Sequence, residues 1–276
     1  MTVVNAFQPE EVSSRKPHDG TTSIYIVLDE TGSMSRHQAV TISSFNEYIQ
    51  TQQAGTEECR VSLVTFSSKE NFFSAPMGAM AMRAAVPMMN LDNKMQVARE
   101  SGSNIRKVFI EEPVASVPAL TVGNYRPSGG TNLYDAIGET ITTIDAQLAD
   151  KATVPNILVV IFTDGEENSS REYNLDSIRT MIKDREEQGW TFVYMGANQD
   201  AWQVGASFGL AKGQTMTYSM DALDSSVRTL AESTISYRSA RTEAYAASLC
   251  SGSLDSDSLV GSAAVSRDFF NNEESK

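Results

Sequence analysis

The apolar run Ile24-Tyr25-Ile26-Val27-Leu28 leads without a break into Asp29-Glu30-Thr31-Gly32-Ser33-Met34, and this junction constrains the chain more than any other stretch. A continuous apolar run rich in β-branched and aromatic residues reads as a strand buried on both faces. A carboxylate, two hydroxyls and a glycine directly after it make a loop of oxygen donors at the strand's carboxyl end, and the chemistry expected of that loop is metal binding. Two later stretches fit the same site: Gly129-Gly130-Thr131-Asn132, opening a helix, and Val159-Val160-Ile161-Phe162-Thr163-Asp164-Gly165, a second strand ending in a carboxylate. About a hundred residues separate the first from the second and over thirty the second from the third, so the fold has to bring them together.

The intervening segments supply such a fold. Residues 1–22 are polar, carry Pro9, Pro17 and Gly20, and read as an arm. Val40, Ile42, Phe45, Tyr48 and Ile49 recur at helical spacing and predict a helix over 36–53, with Ser33 and Ser35 placed to cap it. Strands are expected at 23–28, 60–66, 156–163, 190–195 and 215–219, and helices at 133–149, 174–187, just after 196–200, and from 221 to about 249. The tail from 250 is rich in Ser, Asp and Gly and either extends or docks. Alternating strands and helices imply an α/β, doubly wound, mainly parallel sheet. Asp29, Thr131 and Asp164 then fall at its carboxyl edge, where such sheets bind ligands. The partition is an arm at 1–22, a domain at 23–220, and a helix with a polar tail at 221–276.

The three phrases resemble the metal-ion-dependent adhesion site (MIDAS) of von Willebrand factor type A (VWA) domains, whose pattern is Asp-x-Ser-x-Ser, a lone Thr, then an Asp. The matching positions are Asp29, Thr31 and Ser33, then Thr131, then Asp164. Thr31 stands where the family usually has Ser; it keeps the hydroxyl on a stiffer χ1. The resemblance implies a Rossmann-like VWA fold with an antiparallel edge strand, placed at 106–111. It also implies that at least one of the carboxylates acts through water. The phrase Gly196-Ala197-Asn198-Gln199-Asp200-Ala201 is similar to bacterial and phage-encoded members.

Where the family has a short turn before the edge strand, this chain has residues 70–104, carrying six of its twelve methionines: Met77, Met80, Met82, Met88, Met89 and Met95. Pro76 and Pro87 argue against a membrane-spanning helix there. Polarizable, flexible Met side chains suit an adaptable contact surface, and packing on their own domain is the equal alternative.

Oxygen donors without His or Cys select Mg2+, with Mn2+ or Ca2+ as alternatives, over zinc or copper. His18 and His37 lie outside the pattern and are expected at the surface, and Glu166 and Glu167 are expected to form a solvated acidic loop. Asp135 reads as a first-turn helix acid or as an indirect support of the site. Asn198 adds no charge, and Asp200 reads as a helix cap. Cys59 and Cys250 have no metal-ligand spacing; two free thiols are expected, a bridge being the alternative.

A formal net charge of −13 argues against nucleic acid and anionic membranes as partners. With 41% hydrophobic residues the chain can bury a core. Residues 1–6 lack the basic start and apolar core of a secretion signal, so the expected location is cytoplasmic or within an assembled virion. With one carboxylate acting through water, as the resemblance implies, the metal keeps unneutralised charge and makes one positive spot on a negative body, and screening limits the repulsion of an acidic partner to about 8 Å at physiological salt. The function expected is therefore non-enzymatic: divalent-dependent binding of a protein whose Asp or Glu completes the metal shell. The alternative is a structural subunit of a phage particle or other large assembly, anchored through residues 72–103 and the tails. A phosphatase-like enzyme is a weaker alternative, because Thr31 stands where such enzymes need a second acid.

Overall fold

The computed structural model describes residues 16–68, 103–197, 201–251 and 264–270. The methionine-rich stretch at 69–102, most of the polar arm, Asn198 and Asp200, and much of the tail lie outside the described residues. Six strands form one sheet: β1 His18–Asp29, β2 Cys59–Ser68, β3 Ser103–Pro113, β4 Val154–Thr163, β5 Thr191–Ala197 and β6 Thr215–Tyr218. Their order is β3-β2-β1-β4-β5-β6, and every pairing is parallel except that of β2 with β3. The expected antiparallel edge strand is thus present. The order reverses between β1 and β4, so the crevice at their carboxyl ends is the switch point of the sheet.

Period-two alternation in the buried strands sorts the core into two layers. Ile24, Ile26 and Leu28 of β1, with Leu158, Val160 and Phe162 of β4, face α1 (Gln38–Gln53) and α5 (Leu223–Ser251). Tyr25 and Val27, with Ile157, Val159 and Ile161, face α2 (Leu133–Leu148), α3 (Leu175–Glu187) and α4 (Ala201–Phe208). Burial of one such side chain is worth about 1.5–3 kcal/mol, and with both faces covered β1 and β4 are held too firmly to slip register. In α3 the capping box is complete: Asn174 accepts from the Ser177 amide at 2.9 Å, and the Ser177 hydroxyl accepts from the Asn174 amide at 3.0 Å.

Several expectations need correction. β1 begins at His18, inside the stretch read as an arm, because its first residues pair with β4 through the backbone and need no apolar pattern. The helix expected from 36 is preceded by a 3-10 turn, Gly32–His37, and neither Ser33 nor Ser35 caps α1; the residue before it, His37, makes no side-chain cap bond. Both serines are engaged elsewhere. His18 is half-buried, with its pKa lowered by burial and by Arg241, and His37 is also half-buried, so neither is a plain surface residue.

Helix α5, set apart in the sequence partition, puts Leu223, Val227, Leu230, Ala231 and Tyr237 into the same core as α1. Gln52 donates to the Ala231 carbonyl at 2.9 Å, and Arg238, fully buried, donates back to the Gln52 carbonyl at 3.0 Å. Part of the tail docks: Phe269 is buried with its ring 5.7 Å from that of Tyr237, and the Phe270 amide donates to the Gly213 carbonyl at 2.9 Å. Cys59 is buried and Cys250 exposed, both as free thiols. Among the described residues no helix is long and apolar enough to cross a membrane.

Candidate metal centre

Strand β1 delivers Asp29 to the switch point fully buried. Its Oδ1 accepts the Thr31 amide at 2.8 Å, which folds the chain back on itself and turns the Thr31 side chain towards Ser33. The two hydroxyls stand 3.0 Å apart, and the Ser33 hydroxyl donates to Asp164 Oδ1 at 2.5 Å. β4 ends one residue before Asp164, and Thr163 at that end donates its hydroxyl to Asp29 Oδ2 at 2.6 Å. The parallel register, Leu28 beside Phe162, is what brings the two strand ends level.

Thr131 enters from the loop before α2 and is buried. Its amide donates to Asn168 Oδ1 at 3.0 Å, and its carbonyl accepts the amides of Asn168 and Ser169, both at 3.0 Å. Its hydroxyl lies against Gly165: a Cβ added there would come within 2.8 Å of Thr131 Oγ1. A side chain at 165 would push the third hydroxyl away, so glycine after Asp164 keeps the loop and Thr131 in contact. The five positions singled out in the sequence, Asp29, Thr31, Ser33, Thr131 and Asp164, are therefore gathered at one point.

The electrostatics of this point are uneven. Burial pushes the Asp29 carboxyl up to about 6, against the pull of hydrogen bonds from Thr163 and Thr31, and the nearby Asp164 adds to the rise. Asp164 is also raised, chiefly by burial, while the Ser33 bond and the charges of His37 and Arg36 act against it. Two carboxylates thus share a partly dry corner where a positive charge would relieve both. Among the described residues no group of three or more His, Cys, Asp or Glu side chains is placed to hold a metal. The donor set here is instead two carboxylates and three hydroxyls, all hard oxygens, and it suits Mg2+ or a similar cation in kind.

Several residues that shape the site carry no sequence signal that singles them out. Glu30, 3% exposed, forks onto Arg106 of β3, with contacts of 2.8 and 2.6 Å from Nη2 and 3.2 Å from Nε. It also accepts the Arg126 amide, and its carbonyl accepts the Ser128 amide at 2.9 Å. Tyr125 reaches the Asp29 carbonyl with its hydroxyl at 2.7 Å, and Tyr218 reaches the Thr163 carbonyl at 3.2 Å. Glu167, expected in a solvated loop, instead accepts the amides of Ser169, Ser170 and Tyr134 at 2.7–3.0 Å and so ties its loop to the first turn of α2. Asp135 is buried and accepts the amides of Arg171, Glu172 and Tyr173, each at 3.0 Å, holding the far side of the same loop. Only Glu166 is as exposed as expected.

Fold and site together define an α/β domain with a cluster of carboxylate and hydroxyl oxygens at the carboxyl edge of its sheet. The model of the von Willebrand factor type A domain matches residues 23–233, and the chain belongs to that family. Domains of this family serve protein–protein interaction and are generally not enzymes. No curated protein sequence matches the chain. Among solved structures, the pilus adhesin SpaC from Lactobacillus rhamnosus GG, in an open conformation, is similar at a TM-score of 0.51 and 12% identity over 80% of this chain and 31% of that one. Proximal thread matrix protein 1 from the mussel byssus aligns at a TM-score of 0.48 and 11% identity, over 77% of this chain and 48% of its own. The chain thus spans less than half the length of either protein, and the likeness to the adhesin concerns the fold alone.

Proposed function

We propose that the chain is a divalent-metal-dependent protein-binding module, in which Asp29, Thr31, Ser33, Thr131 and Asp164 hold Mg2+ and an Asp or Glu of the partner completes its shell. The observation that carries this reading is the convergence of three distant segments: Thr31, Ser33 and Asp164 form one chain of contacts, and Thr131 closes it against Gly165. When bound, the cation would supply a Lewis-acidic position for a carboxylate oxygen. The protein's own part is to hold its oxygens in place before the metal arrives. Thr163 fixes the Asp29 carboxylate from below, Tyr125 fixes the Asp29 main chain, and the Glu167 and Asp135 bonds keep the Thr131 loop from opening. With one of the two carboxylates acting through water, the directly bound ligands carry a single negative charge and leave the cation with unspent charge, and Ser33 is exposed at the mouth.

The test is a thermal melt of wild type and Asp164→Ala in chelator and in millimolar Mg2+, Mn2+ or Ca2+. An ion at about a hundred times its dissociation constant adds roughly 2.7 kcal/mol, which for this length raises the midpoint by about 5–10 °C. The shift is expected in wild type and absent from the variant. A wild-type midpoint unmoved by every ion, or a shift that survives Asp164→Ala, would remove the metal from the account.

A further inference from the structure

The rim of the site is charged asymmetrically. The lip after β4, Asp164-Gly165-Glu166, is acidic. The opposite lip is built from two strips of chain running side by side, the 3-10 turn Gly32–His37 and the loop 125–129. Three bonds tie them: the Gly32 amide to the Gly129 carbonyl at 2.9 Å, the Ser35 hydroxyl to the Pro127 carbonyl at 3.4 Å, and the Gln38 amide side chain to the Tyr125 carbonyl at 2.8 Å. Arg36 falls between the bonded positions 35 and 38, and Arg126 between 125 and 127, so the two arginines stand on adjoining strips. Both are exposed, with half-buried His37 next to Arg36.

Among the described residues, six of the eleven guanidiniums are bonded within the fold. Arg60, Arg106, Arg185, Arg228, Arg238 and Arg241 are each bonded to a carboxylate, a side-chain amide or a main-chain carbonyl. Those of Arg36 and Arg126 make no ion pair or hydrogen bond among the described residues. Arg171, Arg179 and Arg267 are likewise without such a bond, but Arg36 and Arg126 are the two that stand on the tied strips of this rim. Arg36 follows Ser33 by three positions and Arg126 precedes Thr131 by five, so both stand on chain that leads directly into the site.

We infer that Arg36 and Arg126 form a second contact point for an acidic partner: the peptide that offers one carboxylate to the metal carries another acidic residue, which pairs with this lip. The inference rests on the metal-dependent reading above and specifies its partner as a segment with at least two acids. The fixed planar fork of arginine suits a carboxylate, and the acidic lip opposite sets the direction in which the segment lies. Charge pairs on a rim act mainly on association rate and specificity, with a contribution that falls as salt rises.

The test uses the full chain and a displayed library of random peptides, bound in millimolar Mg2+ and eluted with chelator. Wild type is expected to select peptides with a second acid near the first, and Arg36→Glu/Arg126→Glu to select Lys or Arg at that second position. The magnesium-dependent rise in midpoint should persist in the variant, since neither guanidinium is bonded to the fold, and loss of the Arg36 charge that acts on Asp164 should favour the cation. On wild type alone, neutralising the second acid of a selected peptide should weaken binding about threefold to fivefold at low salt, the scale of a partly exposed charge pair, and less at high salt. Single-acid peptides from wild type, the same motif from both proteins, or no loss on neutralising the second acid would overturn this inference while leaving the metal-dependent reading intact. If chelator releases no peptide at all, the partner carboxylate fails and this contact fails with it.

Discussion

Asp29, the last residue of β1, and Glu30, the next, are both buried, yet their surroundings are opposite. Glu30 meets a guanidinium through both oxygens and accepts a main-chain amide besides. Asp29 meets two neutral donors, the Thr31 amide and the Thr163 hydroxyl, with a second carboxylate nearby. The partners account for the divergence: Glu30 reaches Arg106 of β3 and the loop that carries Asn124 to Ser128, and Asp29 reaches Thr163 at the end of β4. One carboxylate is neutralised by the fold, and the other is left for something outside it. A buried acid with its cation supplied is part of the structure, and one without is a candidate for function.

The comparison breaks most directly at Glu30. Glu30→Ala strands Arg106 and frees the Arg126 amide, and loss of one partner of a buried pair costs about 3–5 kcal/mol. Arg106 is 40% exposed, so the lower part of that range applies. We expect a fall in midpoint of about 10 °C in chelator, measured by calorimetry. Asp29→Asn under the same conditions should leave the midpoint unchanged or raise it, because it removes a charge whose burial is uncompensated. Equal destabilisation by the two variants would mean that both acids serve the fold.

A second effect is expected in the pH dependence of the metal-free protein. The Asp29 pKa of about 6 in the folded chain lies above the ordinary 3.8, so the folded state binds this proton more tightly than the unfolded one. Its contribution to stability is full below 3.8 and is lost as pH rises through about 6, a change on the order of 2–3 kcal/mol. Other carboxylates shift the other way, Glu57 among them. The quantity to measure is therefore the difference in stability between wild type and Asp29→Asn from pH 4 to 7.5. In wild type the magnesium-dependent shift in midpoint should also fade below pH 6, as protons compete for Asp29. A flat difference curve would mean that Asp29 is compensated after all.

The same contrast explains how much of the molecule was legible in the sequence. The five oxygen donors could be read because each follows a strand or precedes a helix, and strands buried on both faces announce themselves as apolar runs. The Glu30–Arg106 pair could not, since its members lie 76 positions apart and Arg106, beside Lys107, reads as an ordinary charge on an edge strand. Glu167 and Asp135 act by accepting main-chain amides, which exist in every residue and leave no pattern. His18 belongs to β1 through backbone pairing, and the Phe269 anchor sits beyond a polar stretch that gives no sign of a return to the core. In each of these cases the missing information is a partner distant in sequence, and the partner's own composition does not mark it.

The smallest effect, and the sharpest in where it acts, belongs to Thr163. It lies under Asp29 rather than among the donors, and its hydroxyl gives its proton to Asp29 Oδ2 while accepting the Gly165 amide at 3.1 Å. Thr163→Val keeps the shape and removes both bonds. Stability in chelator should fall by about 1 kcal/mol, the scale of a lost hydrogen bond. Asp29, deprived of its shortest donor, would hold its proton to higher pH and turn more freely, and supports of this kind typically govern metal affinity by tenfold or more. We therefore expect Mg2+ affinity, titrated calorimetrically at pH 7.5, to drop about tenfold and to recover in part at pH 8.5, where proton competition is gone. Recovery to the wild-type value would assign the whole effect to the proton. No recovery would assign it to lost orientation, and unchanged affinity at both pH values would place Thr163 with Glu30, as part of the fold alone.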